Sequence, residues 1–252
     1  MLLAAFAWWV GLVNSGNLVH VVTGVILFTA ATYFTVMLRS SAVTSAEKTR
    51  VRGFLPLWIA STLYYGFLFQ KFTSISVFIR DRVDLFLGNW EMPAAWLSVS
   101  SPLAVILIAP LVATLWTRMG SRQPLTAVKY AIGLSVIGGA YLLLLLLEMA
   151  FPGPTVPAVI VLLILAVAGS SEIFVGPIGL AVSTAIAPER FKNQTVALMM
   201  LTLAGGSSIS GLLGTLFANI PTNVHFAIVG AGPLVLALLL AVSAKRINSL
   251  TR

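Results

Sequence analysis

Val156 to Ala187, VPAVIVLLILAVAGSSEIFVGPIGLAVSTAIA, runs for 32 residues with a single ionisable side chain, Glu172. A bilayer core is crossed by about 20 apolar residues in a helix, so this stretch is a membrane span with a carboxylate near its middle. Six more runs meet the same test: Leu18 to Leu38, Phe54 to Ile79, Pro93 to Thr117, Leu125 to Ala150, Thr195 to Ile220 and Val224 to Ala244. Seven spans are therefore expected. The apolar run Leu2 to Val13 reaches only about 18 Å at a helical rise and falls short of crossing. It reads as an interfacial helix, a signal-like apolar region or the tail of a span. The signal-peptide reading is weakened because no Lys or Arg precedes the run and no clean small-residue cleavage site follows it.

The rest of the chain agrees. Of 252 residues, 59% are hydrophobic and 9% charged, and the mean hydropathy is +1.02. A soluble domain carries about a quarter of its residues charged, which excludes a soluble enzyme or a nucleic-acid binder. The net charge of +8 marks topology instead. Twelve basic residues fall in alternate connections: Arg39, Lys48, Arg50, Arg52, Arg118, Arg122, Lys129, Arg190, Lys192, Lys245, Arg246 and Arg252. The opposite connections hold Arg80 and Arg82 offset by Asp81, Asp84 and Glu91, or no charge. Positive-inside bias then puts the basic connections and the C-terminus in the cytoplasm, and makes the sequon Asn193-Gln194-Thr195 irrelevant to glycosylation. With no cysteine, disulfides, thiolate metal sites and cysteine nucleophiles are out of reach.

Thr44-Ser45-Ala46-Glu47 has capping-box spacing and predicts a cytoplasmic helical lead-in to the second span. The loop around it is the one plausible internal boundary. It divides the chain into residues 1–39, a complete helix and a partial one; residues 40–53, a cytoplasmic linker; and residues 54–252, six spans. Six spans suggest three plus three, the unit of many transporters.

Ionisable groups inside spans cost roughly 2.5–3.5 kcal/mol each at a helix centre, so those retained are functional candidates. Glu172 is the sharpest. Gly176 and Pro177, one turn later, can loosen the helix and free carbonyls beside it, which favours a ligand or proton role over a structural buried pair. Lys71, after Gln70, either snorkels to the outer interface or pairs with Glu172 at similar depth. Glu148, His20 and His225 stand near outer helix ends and read as interfacial. No HExxH, GxSxG or metal-ligand set is present, so neither an enzyme nor a cofactor is expected. Gly206, Ser210 and Gly214 recur along one helix face, which allows close packing or sliding between helices.

Several segments together resemble the proton-dependent oligopeptide transporter family of the major facilitator superfamily. EKTRVRGFLPLWIASTLYYGFLFQKFTSISVF, residues 47–78, is similar to the start and body of the seventh family helix. PAAWLSVSSPLAVILIAPLVATLWTRMGSRQP, residues 93–124, resembles the eighth with its basic loop. AVKYAIGL, residues 127–134, resembles the start of the ninth, and SSEIFVGPIGLAVSTAIAPERFKNQTVALMM, residues 170–200, the tenth and the start of the eleventh. The resemblance covers nearly the whole chain but corresponds to the C-terminal half of a family member.

The fold implied is an all-α integral membrane protein, the six-helix C-terminal bundle of a major facilitator transporter plus an accessory helix hairpin. Leu18 to Leu38 would be its second helix and Leu2 to Val13 a remnant of its first. The function implied is transport of di- and tripeptides driven by protons. The chain would be a fragment or a split subunit needing an N-terminal transporter half, in lipid, at a bacterial inner membrane. Glu172 matches the tenth-helix glutamate that meets the peptide amino terminus, Tyr65 stands where a cavity Trp is usual, and Gln70 matches the end of the seventh-helix motif. Three positions depart from the pattern. Phe69 replaces a glutamate linked to proton coupling, Ser101 an eighth-helix Asn that contacts peptide, and Met199 an eleventh-helix Trp lining the pocket. Lys71 would then restore charge balance against Glu172. The cavity face is expected to carry Tyr65, Gln70, Ser101, Met199 and Glu172. The alternative is a degenerate, non-transporting membrane scaffold or regulator.

Overall fold

The structure, a computed structural model, describes residue 14, residues 16–151, residue 153 and residues 155–251. Leu2 to Val13 lies outside the described residues. The remainder is a helical bundle. Helix α1 (Leu18–Arg39) is followed by α2 (Ser45–Leu68), a 3-10 turn (Phe69–Phe72), α3 (Ser74–Arg82), α4 (Ala94–Met119) and α5 (Thr126–Ala150). Then come α6 (Ala158–Ser170), a 3-10 turn (Ser171–Phe174), α7 (Gly176–Ile186), α8 (Lys192–Phe217) and α9 (Thr222–Thr251). Six stretches among the described residues are long and apolar enough to cross a membrane. Phe54 to Ile79 is not one of them. Its Ser61, Thr62, Tyr64 and Tyr65 lower its hydropathy, and the chain breaks at residues 69–73, so this crossing is built from α2 and α3 together.

The expected linker at 40–53 is shorter than its boundaries suggest, because helix begins at Ser45 and runs on without interruption. The capping box forms as its spacing requires. The Thr44 hydroxyl accepts from Glu47 N–H at 3.3 Å, and the Glu47 carboxylate accepts from Thr44 N–H at 2.8 Å. The other carboxylate oxygen takes the Glu189 N–H at 3.0 Å, tying the start of α2 to the junction between α7 and α8. The Glu189 and Thr44 amides, then the Thr44 hydroxyl, hold the Glu47 carboxyl down at about 2 from an ordinary 4.5. A carboxyl held below its unfolded value adds stability that is complete above the unfolded pKa and is lost as pH falls through the folded one. The stability gap between wild type and Glu47→Gln is therefore expected to be constant above pH 4.5 and to shrink as pH drops toward 2, read by thermal melts across that range. A gap independent of pH would refute the cap.

At the other end, Val83 pairs in parallel with Val156, joining the chain that leaves α3 to the chain that enters α6. These two ties make α2–α3 and α6–α7 antiparallel neighbours in register. Around them α5 packs on α9, α4 on α6, and α8 on α2. Helix α1 lies against α8, burying Ile26, Ala30, Phe34 and Met37. Helix α9 continues past the expected end at Ala244 to Thr251, because Ile247 stays buried and Leu250 packs on Gly53.

Close helix approach is set by missing side chains. A Cβ on Gly206 would collide with the Tyr65 Cβ and stand 2.8 Å from the Tyr65 carbonyl carbon. One on Gly169 would lie 2.5 Å from the Ser101 Cα. The stripe Gly206, Ser210, Gly214 faces the broken crossing along its length: Tyr65 and Gly66, then Gln70, then Thr73. Buried hydroxyls and an indole fix α2 by rotation. Trp58 Nε1 donates to Leu198 O at 2.7 Å, Ser61 to Tyr130 Oη at 3.1 Å, and Tyr141 Oη to Phe67 O at 2.7 Å. Outward faces carry bare apolar side chains such as Phe28, Leu107, Leu111, Leu238 and Val242, the surface that lipid covers.

Candidate substrate site at two helix breaks

Two crossings are interrupted in the same way, each by four residues of 3-10 helix and one residue with irregular backbone, Thr73 or Val175. The second break carries Gly176 and Pro177; the proline has no N–H to give and its ring crowds the carbonyl four residues back, which favours a break here, although α2, α4 and α9 run on through Pro56, Pro102, Pro110 and Pro233. The first break has no proline. There the Gln70 amide donates to Gly66 O at 3.1 Å, competing for the carbonyl that an unbroken helix would satisfy through backbone.

Glu172 is the second residue of its turn and is half-buried. The turn is oriented from behind: Ser171 Oγ donates to Ala168 O at 2.5 Å, so Tyr64 Oη donates to Ser171 Oγ at 2.7 Å. In front, Gly176 leaves a floor with no side chain. A Cβ there would stand 3.1 Å from Tyr65 Oη, 3.6 Å from Glu172 Cγ and 4.0 Å from Glu172 Oε1. The phenol and the carboxylate thus address one small space. From Tyr65 an aromatic wall follows the first break, with ring centroids 5.6 Å apart from Tyr65 to Phe69 and 6.0 Å from Phe69 to Phe72. The Lys71 ammonium stands 5.0 Å from the Phe72 centroid.

No ion pair closes between Lys71 and Glu172. The ion pairs among the described residues are Arg80–Asp81, Arg82–Glu148 and Lys192–Glu189, each within 4.0 Å, and Lys71 is in none of them. No cluster of His, Asp and Glu suited to a metal ion is found among the described residues.

Three of the expected cavity residues are buried within the bundle. Gln70 is fully buried and saturated, its amide donating to Gly66 O and Ser210 Oγ and its oxygen accepting from Ser74 Oγ at 2.8 Å. Ser101 is 3% exposed and donates to Leu165 O at 2.9 Å, where α4 crosses α6 at Gly169. Met199 is 2% exposed and packs with Phe34, Met37, Phe54 and Trp58 between α1, α2 and α8. All three are closed off by the bundle itself, so none presents a surface to a ligand in this conformation. Glu172 and Tyr65 converge at Gly176, whereas Lys71 lies on the other break over the Phe72 ring.

Two polar assemblies went unseen in the sequence. His225, completely buried against Phe217 and Phe226, bonds Ser74 Oγ at 3.0 Å and so extends the Gln70 cluster into α9. Ser74 spends its proton on Gln70 Oε1, so the His225 Nε2–H is the donor. Arg82, at the end of α3, bonds Glu148 at 2.5 Å and the carbonyls of Phe151 and Gly153 at 3.0 Å. Glu148 is thus a structural anchor rather than a free interfacial group. Gln70 and Ser74 are four apart, a spacing that could have been noticed; the partners 66–151 residues away leave no local signal.

The chain is similar to known transporters. The profile of the POT family matches residues 14–230. An uncharacterized transporter YclF of Bacillus subtilis (strain 168) is 31% identical over 204 residues, 81% of this chain and 42% of that protein. A di-/tripeptide transporter of Lactococcus lactis subsp. cremoris is 29% identical over 245 residues, 93% of this chain and 48% of that protein. Among crystal structures, a peptide transporter POT in complex with sulfate superposes with a TM-score of 0.88 at 28% identity, over 99% of this chain and 51% of the other. A POT family transporter in complex with 5-aminolevulinic acid gives 0.89 at 26%, over 98% and 51%. The chain spans about half the length of these relatives. Six apolar spans and a broken α2–α3 segment among the described residues, overlaid on such structures along nearly the whole chain, place it in a fold of transporters rather than enzymes, and the chain belongs to the POT family.

Proposed function

We propose that this chain supplies the Glu172-bearing side of a proton-coupled di- and tripeptide pathway, as the C-terminal half of a symporter completed by an N-terminal half, joined covalently or carried separately. The observation that carries this reading is a half-buried carboxylate at a helix break in mid-span, facing a phenol across a glycine floor. A carboxylate in low dielectric holds an ammonium far more firmly than in water, and a peptide amino terminus is such a group. Protonation removes the charge of the same carboxylate, so release of the ammonium and uptake of a proton are linked at one group. The ligand of one similar transporter, 5-aminolevulinic acid, likewise carries an amine and a carboxylate.

Positive-inside bias supports a cytoplasmic end built from Arg39, Arg118, Arg122, Arg190, Lys245 and Arg246, in a bacterial inner membrane. The test is uptake of a labelled dipeptide by proteoliposomes holding the chain with its matching half. An acid-outside gradient is expected to raise uptake several-fold. Uptake indifferent to the gradient removes proton coupling, and no uptake by the whole assembly removes peptide transport.

A further inference from the structure

We infer that the groove between α1 and α8, at the basic end of the bundle, is a binding site for a phospholipid with an anionic head. The inference goes beyond the transport reading, whose failure would leave it standing. The two helices run antiparallel in close contact. The Thr195 hydroxyl donates to Met37 Sδ at 3.6 Å, Thr23 Oγ1 lies 2.5 Å from Ser208 Oγ, and a Cβ on Gly211 would meet Val19 at 3.5 Å. Beside that seam lies an open groove of about 340 Å³, with Thr29 and Tyr33 as one wall and Asn193, Gln194, Ala197 and Leu201 along the other.

The chemistry of the groove changes along its length in the order of a phospholipid. Asn193 and Gln194 stand exposed in the first turn of α8, and neither they nor Tyr33 bond another described residue through their side chains. Further along α8 come Ala197 and Leu201, which offer only hydrocarbon. The charge lies at the polar end. The contact of Met37 with Thr195 brings the end of α1, Arg39, level with the start of α8, Lys192, and Arg190 precedes it in a 3-10 turn. Two carboxylates at this end are already engaged. Glu189 pairs with Lys192 at 2.8 Å, and Glu47 accepts the Thr44 and Glu189 amides. Arg39 and Arg190 enter no ion pair among the described residues, which leaves an excess of positive charge for a lipid phosphate to answer. The phosphate also accepts from the amide and phenol donors, and an acyl chain supplies the packing that an empty apolar groove forfeits. A neutral lipid would fill the apolar end and leave the charge unanswered. So would Leu2 to Val13, which contains no acidic residue.

The chain has no cysteine, so Ala204→Cys, on the exposed side of α8 just past Leu201, takes a single bimane label at the apolar end of the groove. The labelled chain, assembled with a cysteine-free matching half, is placed in phosphatidylcholine bilayers containing brominated phosphatidylglycerol or brominated phosphatidylcholine. Half-quenching is expected at an anionic-lipid fraction lower by about 5- to 30-fold, the worth of one or two basic residues beside the head. The same label after Leu238→Cys, on the lipid-covered face of α9, is expected to show no preference. Arg39→Gln combined with Lys192→Gln should reduce the preference at position 204 to that at position 238. Equal quenching by the two lipids at position 204 overturns the site, because contact is then that of any lipid. Absence of quenching there, with position 238 still quenched, overturns it by showing that protein, residues 2–13 or the N-terminal half, covers the groove. A preference that survives the double substitution overturns the assigned head contacts. Each readout is a ratio of two lipids on one folded sample, so reduced expression does not imitate it.

Discussion

Glu172→Gln is expected to abolish measurable peptide binding by the assembled transporter. Removing one partner of a desolvated, hydrogen-bonded charge pair costs roughly 2–5 kcal/mol, about 30- to several-thousand-fold in affinity. The same substitution removes a charge from mid-span, and no ion pair within the described residues depends on it. The thermal stability of the variant should therefore equal or exceed that of wild type. The combination is diagnostic: binding falls while the melting temperature does not. Glu148→Gln is the matching control. It removes the charge that answers Arg82 at the end of the bundle, leaving only a neutral acceptor, and should lower stability while affinity stays within about threefold. Isothermal titration and melts on the three proteins decide the matter, and wild-type affinity in Glu172→Gln would sink the assignment.

Gly206→Val should have the largest effect on the fold. Its Cβ would strike backbone-proximal atoms, the Tyr65 Cβ and carbonyl carbon and Gly66 N at 2.9 Å, none of which can rotate away. Helices α2 and α8 must separate, which breaks the Gln70–Ser210 bond one turn further along. Overpacking of this kind costs typically 1–3 kcal/mol and more where backbone is involved, so a fall of about 3 kcal/mol, or roughly 6–10 °C in Tm, is expected. Gly139→Ala, where an added Cβ meets nothing within 4 Å, should leave Tm unchanged or slightly raised. Equal behaviour of the two variants would show that the α2–α8 contact is looser than described. Because Tyr65 sits at this crossing, Gly206→Val should also weaken peptide binding.

The two results bear on different levels of the molecule. Glu172 tests chemistry at a break, and Gly206 tests the packing that presents Tyr65 beside it. Phe69 is the middle ring of the wall between Tyr65 and Phe72, so the position contributes apolar surface beside the first break.

Span positions, the helical lead-in at Thr44 and Glu47, and the singular standing of Glu172 could be read from the chain alone. Hydropathy and capping are properties of neighbouring residues, and an ionisable group in hydrocarbon is costly wherever its helix points. The sequence also held a contributor to the second break, Pro177 with Gly176 before it. It did not hold the first, because nothing local says that the Gln70 amide will turn back to Gly66 O rather than outward. Nor could it tell that Gln70, Ser101 and Met199 face inward while Lys71 stays open. Facing depends on how far each helix is rotated about its axis. That rotation is set by contacts between residues far apart in the chain: Ser101 with Leu165, Trp58 with Leu198, Gln70 with Ser210 and Ser74 with His225. Depth in the membrane is a one-dimensional quantity, legible in one dimension; which side chains meet at that depth is decided only when the helices pack.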